Sequence, residues 1–359
     1  MKRPIILHII SDLGIGGAEK QLLLLLPTLQ SSYDNRVVCL RGPALTGKAL
    51  VDKDIPVTYL NRKLPFSPGI FLSITKTINK LKPDIVVGYL VEADVISRFA
   101  CHNKNVAYVS SQRSSLVHHP FLASLNKTTK RLADFFTVHT RARKTELINS
   151  WKISPSKIFI IPNTVITPPT NKNNLVPTDN SLNIICVANF KKGKGHSLLL
   201  KAFNNLHKQH PNIRLLLMGK GPLEKPLRRQ ISEYASRQHI RFLGQQESVW
   251  SHLAAADIFV LPTEGEGMSN ALLEAMNMGL PCLTSDIKAN QELIHNQENG
   301  LLYKNRNLTS LISQLDALIS NHILRERLAQ NAKTYTENNH SLNKVSNLWN
   351  DLFHSILNR

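Results

Sequence analysis

The strongest constraint on the fold is a regular alternation of short apolar runs and longer helical patterns along the first half of the chain. Helix patterns such as 18–30 and 71–81 separate the apolar runs. Alternation of this kind is typical of parallel sheets covered by helices. We therefore expect an α/β fold in this half, with strands at 5–10, 36–40, 57–60, 85–89, 107–110, 135–139 and 158–161.

The alternation stops in a polar stretch at 167–182, rich in proline and asparagine, and then restarts. The second series predicts strands at 183–188, 214–218, 241–243, 258–261 and 281–285. A chain of 359 residues is long enough for two cores of ordinary size. We predict an N-terminal domain over 1–166, a linker over 167–182 and a C-terminal domain over 183–340. Because open α/β sheets bind ligands at the carboxyl ends of their strands, a ligand-binding cleft between the domains is expected.

The last segment, 341–359, carries apolar residues at helical spacing from Leu342 to Leu357. This pattern predicts a helix with one buried face. The sequence leaves open which domain the helix packs on, and packing back on the N-terminal domain is one of the two alternatives.

The chain is strongly basic, with a formal net charge of +19. Residues 1–166 hold 23 lysines and arginines against 10 acidic residues, a net +13, whereas the remainder holds 21 against 15, a net +6. Such a field attracts polyanions, either nucleic acid or an anionic membrane surface. Aromatic residues are only 6% and are not interleaved with the basic ones, which disfavours nucleic acid as a partner.

Neither the cysteines nor the histidines predict a metal site. The four cysteines are far apart without a CxxC pair, and the 14 histidines show no ligand spacing. No apolar run approaches the length of about 20 residues that crosses a bilayer. The run at 5–10 contains His8 and resembles a buried strand more than a signal peptide. We expect a cytoplasmic protein with reduced thiols.

The most informative motif follows the predicted strand at 258–261. A glycine-bearing loop leads into a helix that begins near 268–270, and backbone amides at a helix start form an anion site. Glu266 lies in the loop and Glu274 eight residues later on the helix. Their carboxylates suit hydrogen bonds from sugar and ribose hydroxyls. The alternative is an acidic first turn that only stabilises the helix.

A second glycine loop follows the strand at 183–188 and carries Lys191, Lys192 and Lys194. Three ammonium groups could neutralise a diphosphate leaving group as its charge develops. The loop is not a P-loop because His196, and not serine or threonine, follows Lys194-Gly195. A solvated basic turn is the alternative.

A third glycine turn, Gly16-Gly17, lies between the first strand and the first helix and would let the backbone approach a ligand closely. A dinucleotide-dependent dehydrogenase is disfavoured, because the second strand ends in Leu40-Arg41 without the expected acidic residue.

Together these motifs resemble the retaining GT-B glycosyltransferases of family 4, whose fold is α/β, with two Rossmann-like domains facing across a cleft. The similarity spans nearly the whole chain, and its most specific part is 264–281. The matching segments are 16–19, 161–163, 188–190, 194–195, 219–223, 242–244, 256–257, 264–281 and 299–302, with Asp286 and Glu292.

The resemblance implies a role for each site residue. Lys194 would hold the donor diphosphate, Glu266 would accept from hydroxyls of the transferred sugar, and Glu274 would accept from the ribose. It also implies a nucleotide-sugar donor, expected to be a UDP-sugar, with retained anomeric configuration and no metal or other cofactor. The remaining donor-binding residues implied are Gly16, Gly17, Asn189, Gly267, Met268, Ser269 and Asn270.

Two positions depart from the family pattern. Many relatives carry arginine where this chain has Asn189, so Lys191 or Lys192 would supply the second charge. Many also carry a catalytic-site histidine after the strand at 107–110, where this chain has Arg113. We therefore expect Arg113 near the reacting centre, with His118 and His119 as alternatives.

The sequence thus predicts a glycosyltransferase that moves a sugar to a glycan or lipid-linked acceptor in cell-surface polysaccharide or lipopolysaccharide synthesis. Its charge predicts peripheral contact with the anionic inner face of the cytoplasmic membrane. Two alternatives stay open: a nucleotide-sugar epimerase or phosphorylase of the same fold, and a polyanion-binding protein without enzymatic activity.

Overall fold

A computed structural model describes residues 3–14, 16–62, 67–113, 120–166, 181–246 and 248–359. The chain divides into two compact units: unit 1 comprises Met1–Thr164 with Leu342–Arg359, and unit 2 comprises Val165–Ser341. Each unit contains a parallel sheet with helices packed against it. The α/β fold that the alternating pattern predicts is confirmed in both halves.

The sheet of unit 1 has the order β3-β2-β1-β4-β5-β6-β7, and its strands are parallel. The chain moves outward from β1 to β3 and then returns to the other side of β1. The carboxyl ends of β1 and β4 therefore form a topological switch point, where loops on either side diverge. The described strands are β1 (Ile5–Ile10), β2 (Asp34–Cys39), β3 (Val57–Tyr59), β4 (Ile85–Tyr89), β5 (Ala107–Gln112), β6 (Phe135–Val138) and β7 (Ile158–Ile160).

Local signals fix several helix starts in unit 1. Proline stands at the first position of the helix Pro68–Leu81, where its missing N–H costs nothing. The Thr140 side chain accepts a hydrogen bond of 3.1 Å from Arg143 N and caps the helix Arg141–Trp151. The helices are α1 (Gly17–Leu29), α2 (Leu45–Val51), α3 (Pro68–Leu81), α4 (Val91–Cys101), α5 (Pro120–Thr128) and α6 (Arg141–Trp151).

Unit 2 repeats this topology with the order β10-β9-β8-β11-β12-β13, and its switch point lies between β8 and β11. The described strands are β8 (Leu182–Val187), β9 (Ile213–Met218), β10 (Ile240–Gly244), β11 (Ile258–Leu261), β12 (Cys282–Ser285) and β13 (Leu301–Tyr303). The helices are α7 (His196–Leu206), α8 (Glu224–Gln230), α9 (Trp250–Ala254), α10 (Asn270–Asn277), α11 (Lys288–Gln291), α12 (Leu308–Ser320) and α13 (His322–His340).

Three sequence-based assignments need correction. Strand β13 was missing from the predicted set, because three residues are too few to show a period. Strand β2 begins at Asp34 and not at 36, and the polar residues at its start hid it from the apolar pattern. Leu182, assigned to the linker, is the first residue of β8, and the rest of that linker lies largely outside the described residues.

Helix α14 (Leu342–Leu357) belongs to unit 1 although it follows unit 2 in the chain. Its apolar face, including Trp349 and Phe353, packs in one core with the leucines of α1. The Phe353 ring meets Tyr33 edge-on, with centroids 5.3 Å apart. Thr28 Oγ1 and Ser346 Oγ are hydrogen-bonded at 2.7 Å.

Across the described residues, none of the helices combines the length and apolarity that a membrane span requires.

We expect Phe353→Ala to destabilise unit 1 by about 3–5 kcal/mol, because it leaves a cavity in a fully buried site. Urea unfolding followed by tryptophan fluorescence measures the change, since Trp349 lies 5.3 Å from Phe353. Asn347→Ala, on the exposed face of the same helix, should change the stability by less than about 0.5 kcal/mol. Equal effects of the two substitutions would contradict this packing.

Candidate functional site

Lys194 and Glu266, which the sequence places in two separate motifs, form an ion pair in unit 2. Lys194 follows β8 and Glu266 follows β11, so both lie at the switch point of this sheet. Lys194 Nζ donates to Glu266 Oε1, and the two side chains are 24% and 19% exposed. The strand order thus brings together a cation and a carboxylate that are 72 residues apart.

The two loops that carry this pair are bound to each other through their backbones. Glu264 N donates to Gly193 O at 2.8 Å, and Thr263 Oγ1 donates to the same oxygen at 3.2 Å. At Gly195, φ is +70°, and a Cβ would lie 1.8 Å from Pro262 O. Only glycine permits both the left-handed conformation and this approach. The separation of the Lys194 and Glu266 backbones is therefore fixed.

Two further glycines follow β9 directly and lie against the backbone of the lysine loop. Gly219 and Gly221 have positive φ, and a Cβ on them would lie 2.2 Å and 2.4 Å from the carbonyl oxygens of Ala188 and Phe190. Phe190 N donates to Lys220 O at 3.0 Å. This contact holds the start of the loop. Its remaining polar residues, Asn189, Lys191 and Lys192, are exposed.

Helix α10 begins at Asn270, as the sequence predicts, directly after the loop of Glu266. The Ser269 side chain caps it by accepting from Leu272 N at 3.3 Å. Glu274 is buried on this helix, and Gly267 and Met268 are half-buried just before the cap. Amides and the positive end of the helix dipole at this start favour a bound anion. The residues predicted at 267–270 thus lie beside the Lys194–Glu266 pair.

The sequence analysis missed two residues whose hydrogen bonds stabilise the loop that carries Glu266. Ser285 Oγ donates to Thr263 O, and Asn290 Nδ2 donates to Ser285 O at 3.0 Å. These side chains come from β12 and α11, which are four residues each, so no periodicity marks them.

On the loop that carries Glu266, Glu264 forms a second ion pair with Arg306 at 2.7 Å.

Arg113, the residue predicted near the reacting centre, lies in unit 1 at the end of β5. Its guanidinium carbon is 5.4 Å from the centroid of the Tyr89 ring, and its Nε donates to Ser111 Oγ at 3.4 Å. Its Nη1 is buried and has no hydrogen-bond partner within the described part of the chain. A buried donor without a partner is costly, so this nitrogen is suited to a ligand.

Glu19 and Arg113 influence each other electrostatically, which the sequence analysis did not anticipate. Burial raises the pKa of the Glu19 carboxyl, and Asp12 raises it further, whereas the charge of Arg113 lowers it. A Cβ at Gly16 would lie 2.2 Å from Glu19 Oε2, so this glycine leaves room for the carboxylate. Gly17 is exposed at the first position of α1.

Two buried histidines in the described part of this region, His139 and His8, have pKa values below the ordinary one. Burial lowers the pKa of His139 well below its ordinary value, and the charge of Arg113 adds to the effect. Burial also lowers the pKa of His8 to about 4, and its ring nitrogens are hydrogen-bonded to Tyr89 Oη at 3.1 Å and Asn35 Oδ1 at 3.0 Å. The positive charge beside Tyr89 is therefore that of Arg113. The alternatives His118 and His119 lie outside the described residues.

A buried polar network anchors the strand that ends at Arg113. Gln112 Nε2 donates to Asp94 Oδ2 at 2.7 Å, and Arg143 Nη2 donates to Gln112 Oε1 at 3.2 Å. The fully buried Arg98 donates to Ser110 Oγ at 2.9 Å and pairs with Asp94. Because removing one member of such a network leaves other buried groups unpaired, the network holds this strand end in one position.

Comparisons with known proteins match both units. The family model described as group 1 glycosyl transferases matches residues 169–335, and that of glycosyltransferase family 4 matches residues 15–167. The chain is 25% identical, over 90% of its length and 93% of the relative's, to N-acetylgalactosamine-N,N'-diacetylbacillosaminyl-diphospho-undecaprenol 4-alpha-N-acetylgalactosaminyltransferase of Campylobacter jejuni. It is 26% identical, over 87% of its length and 86% of the relative's, to UDP-Gal:alpha-D-GlcNAc-diphosphoundecaprenol alpha-1,3-galactosyltransferase of Escherichia coli.

Among solved structures, Anabaena HepE in complex with UDP and glucose is similar in fold, with a TM-score of 0.85 and 18% identity. The match covers 98% of this chain and 99% of HepE. Two family models that together span most of the sequence agree with the two Rossmann-like domains of the structure. The chain therefore belongs to glycosyltransferase family 4 and is an enzyme with the GT-B fold.

Proposed function

We propose that this enzyme transfers a sugar from a UDP-sugar to a glycan acceptor, with retention of the anomeric configuration and without a metal ion. The observation that carries the proposal is the meeting of Lys194 and Glu266 at the switch point of unit 2, beside the start of α10. This arrangement combines a cation, helix-start amides and hydroxyl-accepting carboxylates on one sheet edge.

Each group has a defined task in this proposal. The Lys194 ammonium would neutralise the diphosphate as the bond to the sugar breaks, which is the task that a metal ion performs in other enzymes. The amides at the start of α10 would bind the same phosphates. Glu274 would accept from the ribose, and Glu266 from the transferred sugar. Lys191 or Lys192 would add the second positive charge that Asn189 cannot supply.

Retention is proposed to follow from reaction on one face of the sugar. The leaving phosphate would take the proton of the acceptor hydroxyl as the new bond forms. No carboxylate nucleophile is needed, in contrast to the double displacement of retaining glycosidases.

The names of the relatives support a lipid-linked acceptor. The relatives from Campylobacter jejuni and Escherichia coli are both named for transfer to diphosphoundecaprenol-linked sugars, and the second is named for a UDP-sugar donor. We propose the same class of acceptor here, in the synthesis of cell-surface polysaccharide or lipopolysaccharide. The net charge of +13 over residues 1–166 is consistent with work at an anionic membrane surface.

We expect UDP-glucose to raise the melting temperature, and GDP-mannose and ADP-glucose to leave it unchanged, because only a ligand of the native state stabilises it. Lys194→Ala and Glu274→Gln should lose this protection and the release of UDP during transfer. Lys201→Ala, an exposed lysine on α7, is the control and should behave as wild type. Full protection of Lys194→Ala by UDP-glucose would contradict the proposed donor site, and interconversion of UDP-sugars without UDP release would indicate an epimerase.

We expect Arg113→Ala to lower kcat by about 10²–10³-fold, because it removes a preorganised cation near the reacting centre. Its affinity for UDP, measured by calorimetry, should not change, since Lys194 and Glu274, to which the proposal assigns the diphosphate and the ribose, lie in unit 2. Arg36→Ala is the matched control, because Arg36 pairs with Asp34 in a partly exposed ion pair of the same unit. A wild-type kcat for folded Arg113→Ala would exclude this role.

We expect the chain to co-sediment with phosphatidylglycerol vesicles at low salt and to detach at high salt, since screening weakens surface attraction. Exposed apolar residues of unit 1, such as Leu72 at 56%, would insert into the interface, so Leu72→Asp should weaken binding. Ile323→Asp alters an apolar residue of unit 2 that is 66% exposed and should have no effect. Equal binding to neutral phosphatidylcholine vesicles at low salt would refute the membrane proposal.

A further inference from the structure

In unit 2, the cation expected at the donor diphosphate is already paired with a carboxylate of the protein itself. Lys194 Nζ donates to Glu266 Oε1, with both side chains at least three-quarters buried. We propose that Glu266 determines selectivity against the free nucleoside diphosphate, because it competes with that product for Lys194. This inference depends on the donor site proposed above and assigns one of its residues a second task.

Direct backbone contacts join the two loops beside this ion pair. The contacts of Gly193 with Thr263 and Glu264, and the close approach of Gly195 to Pro262, join the two backbones directly beside the ion pair. Rotation of the two side chains would open the pair without any separation of the loops. Any phosphate that binds the Lys194 ammonium lies next to the Glu266 carboxylate, and the two negative charges repel each other.

A nucleotide-sugar and a free nucleoside diphosphate differ in the hydrogen bonds that they can donate to the Glu266 carboxylate. The sugar of the donor carries hydroxyls that can donate to Glu266 and replace the bond it loses from Lys194. The free diphosphate has no such donors, and its terminal phosphate carries an additional ionisable oxygen. It would therefore leave Glu266 unpaired and place like charges side by side, which disfavours binding.

The same competition would favour product release after transfer. Once the sugar has left with the acceptor, Glu266 loses its hydroxyl partners and can recover its ion pair with Lys194. Re-formation of that pair displaces the diphosphate from the lysine. No change in the backbone is required, because the two loops already hold both residues at the distance of an ion pair.

The loop itself offers a matched control in Glu264. It is two residues before Glu266, is half-buried, and forms an ion pair of 2.7 Å with Arg306, whose side chain is 72% exposed. Glu264→Gln removes one negative charge from the same loop, as Glu266→Gln does. It leaves the Lys194–Glu266 pair in place, so it separates the specific competition from a general change of charge.

The test is calorimetric titration of the full-length protein with UDP at low ionic strength. We expect Glu266→Gln to bind UDP on the order of tenfold more tightly than wild type, because the competing charge is gone. Glu264→Gln should bind UDP with wild-type affinity. Melting curves of both variants verify folding, and glutamine keeps the size of the replaced side chain while it removes the charge and exchanges one acceptor oxygen for an NH2 donor.

Two results would overturn the inference while leaving the donor site intact. One is UDP affinity of Glu266→Gln equal to or weaker than that of wild type, in a protein whose UDP binding still requires Lys194. The other is an equal gain in Glu264→Gln, which would indicate a general charge effect. Failure of wild type to bind UDP, or full UDP affinity in Lys194→Ala, would instead refute the proposed donor site and this inference with it.

Discussion

The proposed donor site depends on the contacts of one carbonyl oxygen, Gly193 O, which accepts from Glu264 N and from the Thr263 hydroxyl. This contact joins the loops after β8 and β11, and the positive φ of Gly195 allows their chains to touch. Because the bond from Glu264 N involves backbone atoms only, it joins the loops independently of the side chains of the two residues. Lys194 and Glu266 are thereby held as an ion pair, and the start of α10 follows directly. The two loops can come this close only because residue 195 is glycine, since a Cβ there would collide with Pro262 O.

Unit 1 uses the same strand order for a different purpose. Its glycine turn makes room for the buried Glu19 carboxylate, whereas the glycines of unit 2 bring backbones together. Arg113, whose charge lowers the pKa of the Glu19 carboxyl, lies over the Tyr89 ring and has one nitrogen without a partner within the described ranges. One topology thus supports an ion pair beside a helix start in one unit and the buried Arg113 guanidinium in the other. The two sites are distinguished by side chains and not by architecture.

Much of this could be predicted from the sequence, because the alternation of apolar runs and helices is a local signal. The strand-to-loop positions of Lys194 and Glu266 were predicted for the same reason, since a glycine loop after an apolar run is visible within a few residues. The ion pair itself could not be predicted, because it depends on the order of strands in the sheet. The electrostatic influence of Arg113 on Glu19, 94 residues away in the chain, was missed for the same reason. Strand β13 was too short to carry any period.

Helix α14 makes unit 2 an insertion within unit 1, with consequences for synthesis on the ribosome. Domains commonly fold as units from the N-terminus during translation. Here the core of unit 1 lacks Trp349 and Phe353 until the last helix has emerged, although its sheet is made first. Unit 2 has its complete sequence earlier, by Ser341. The nascent chain would therefore complete its second unit before its first, leaving the leucine face of α1 uncovered for the time needed to translate unit 2.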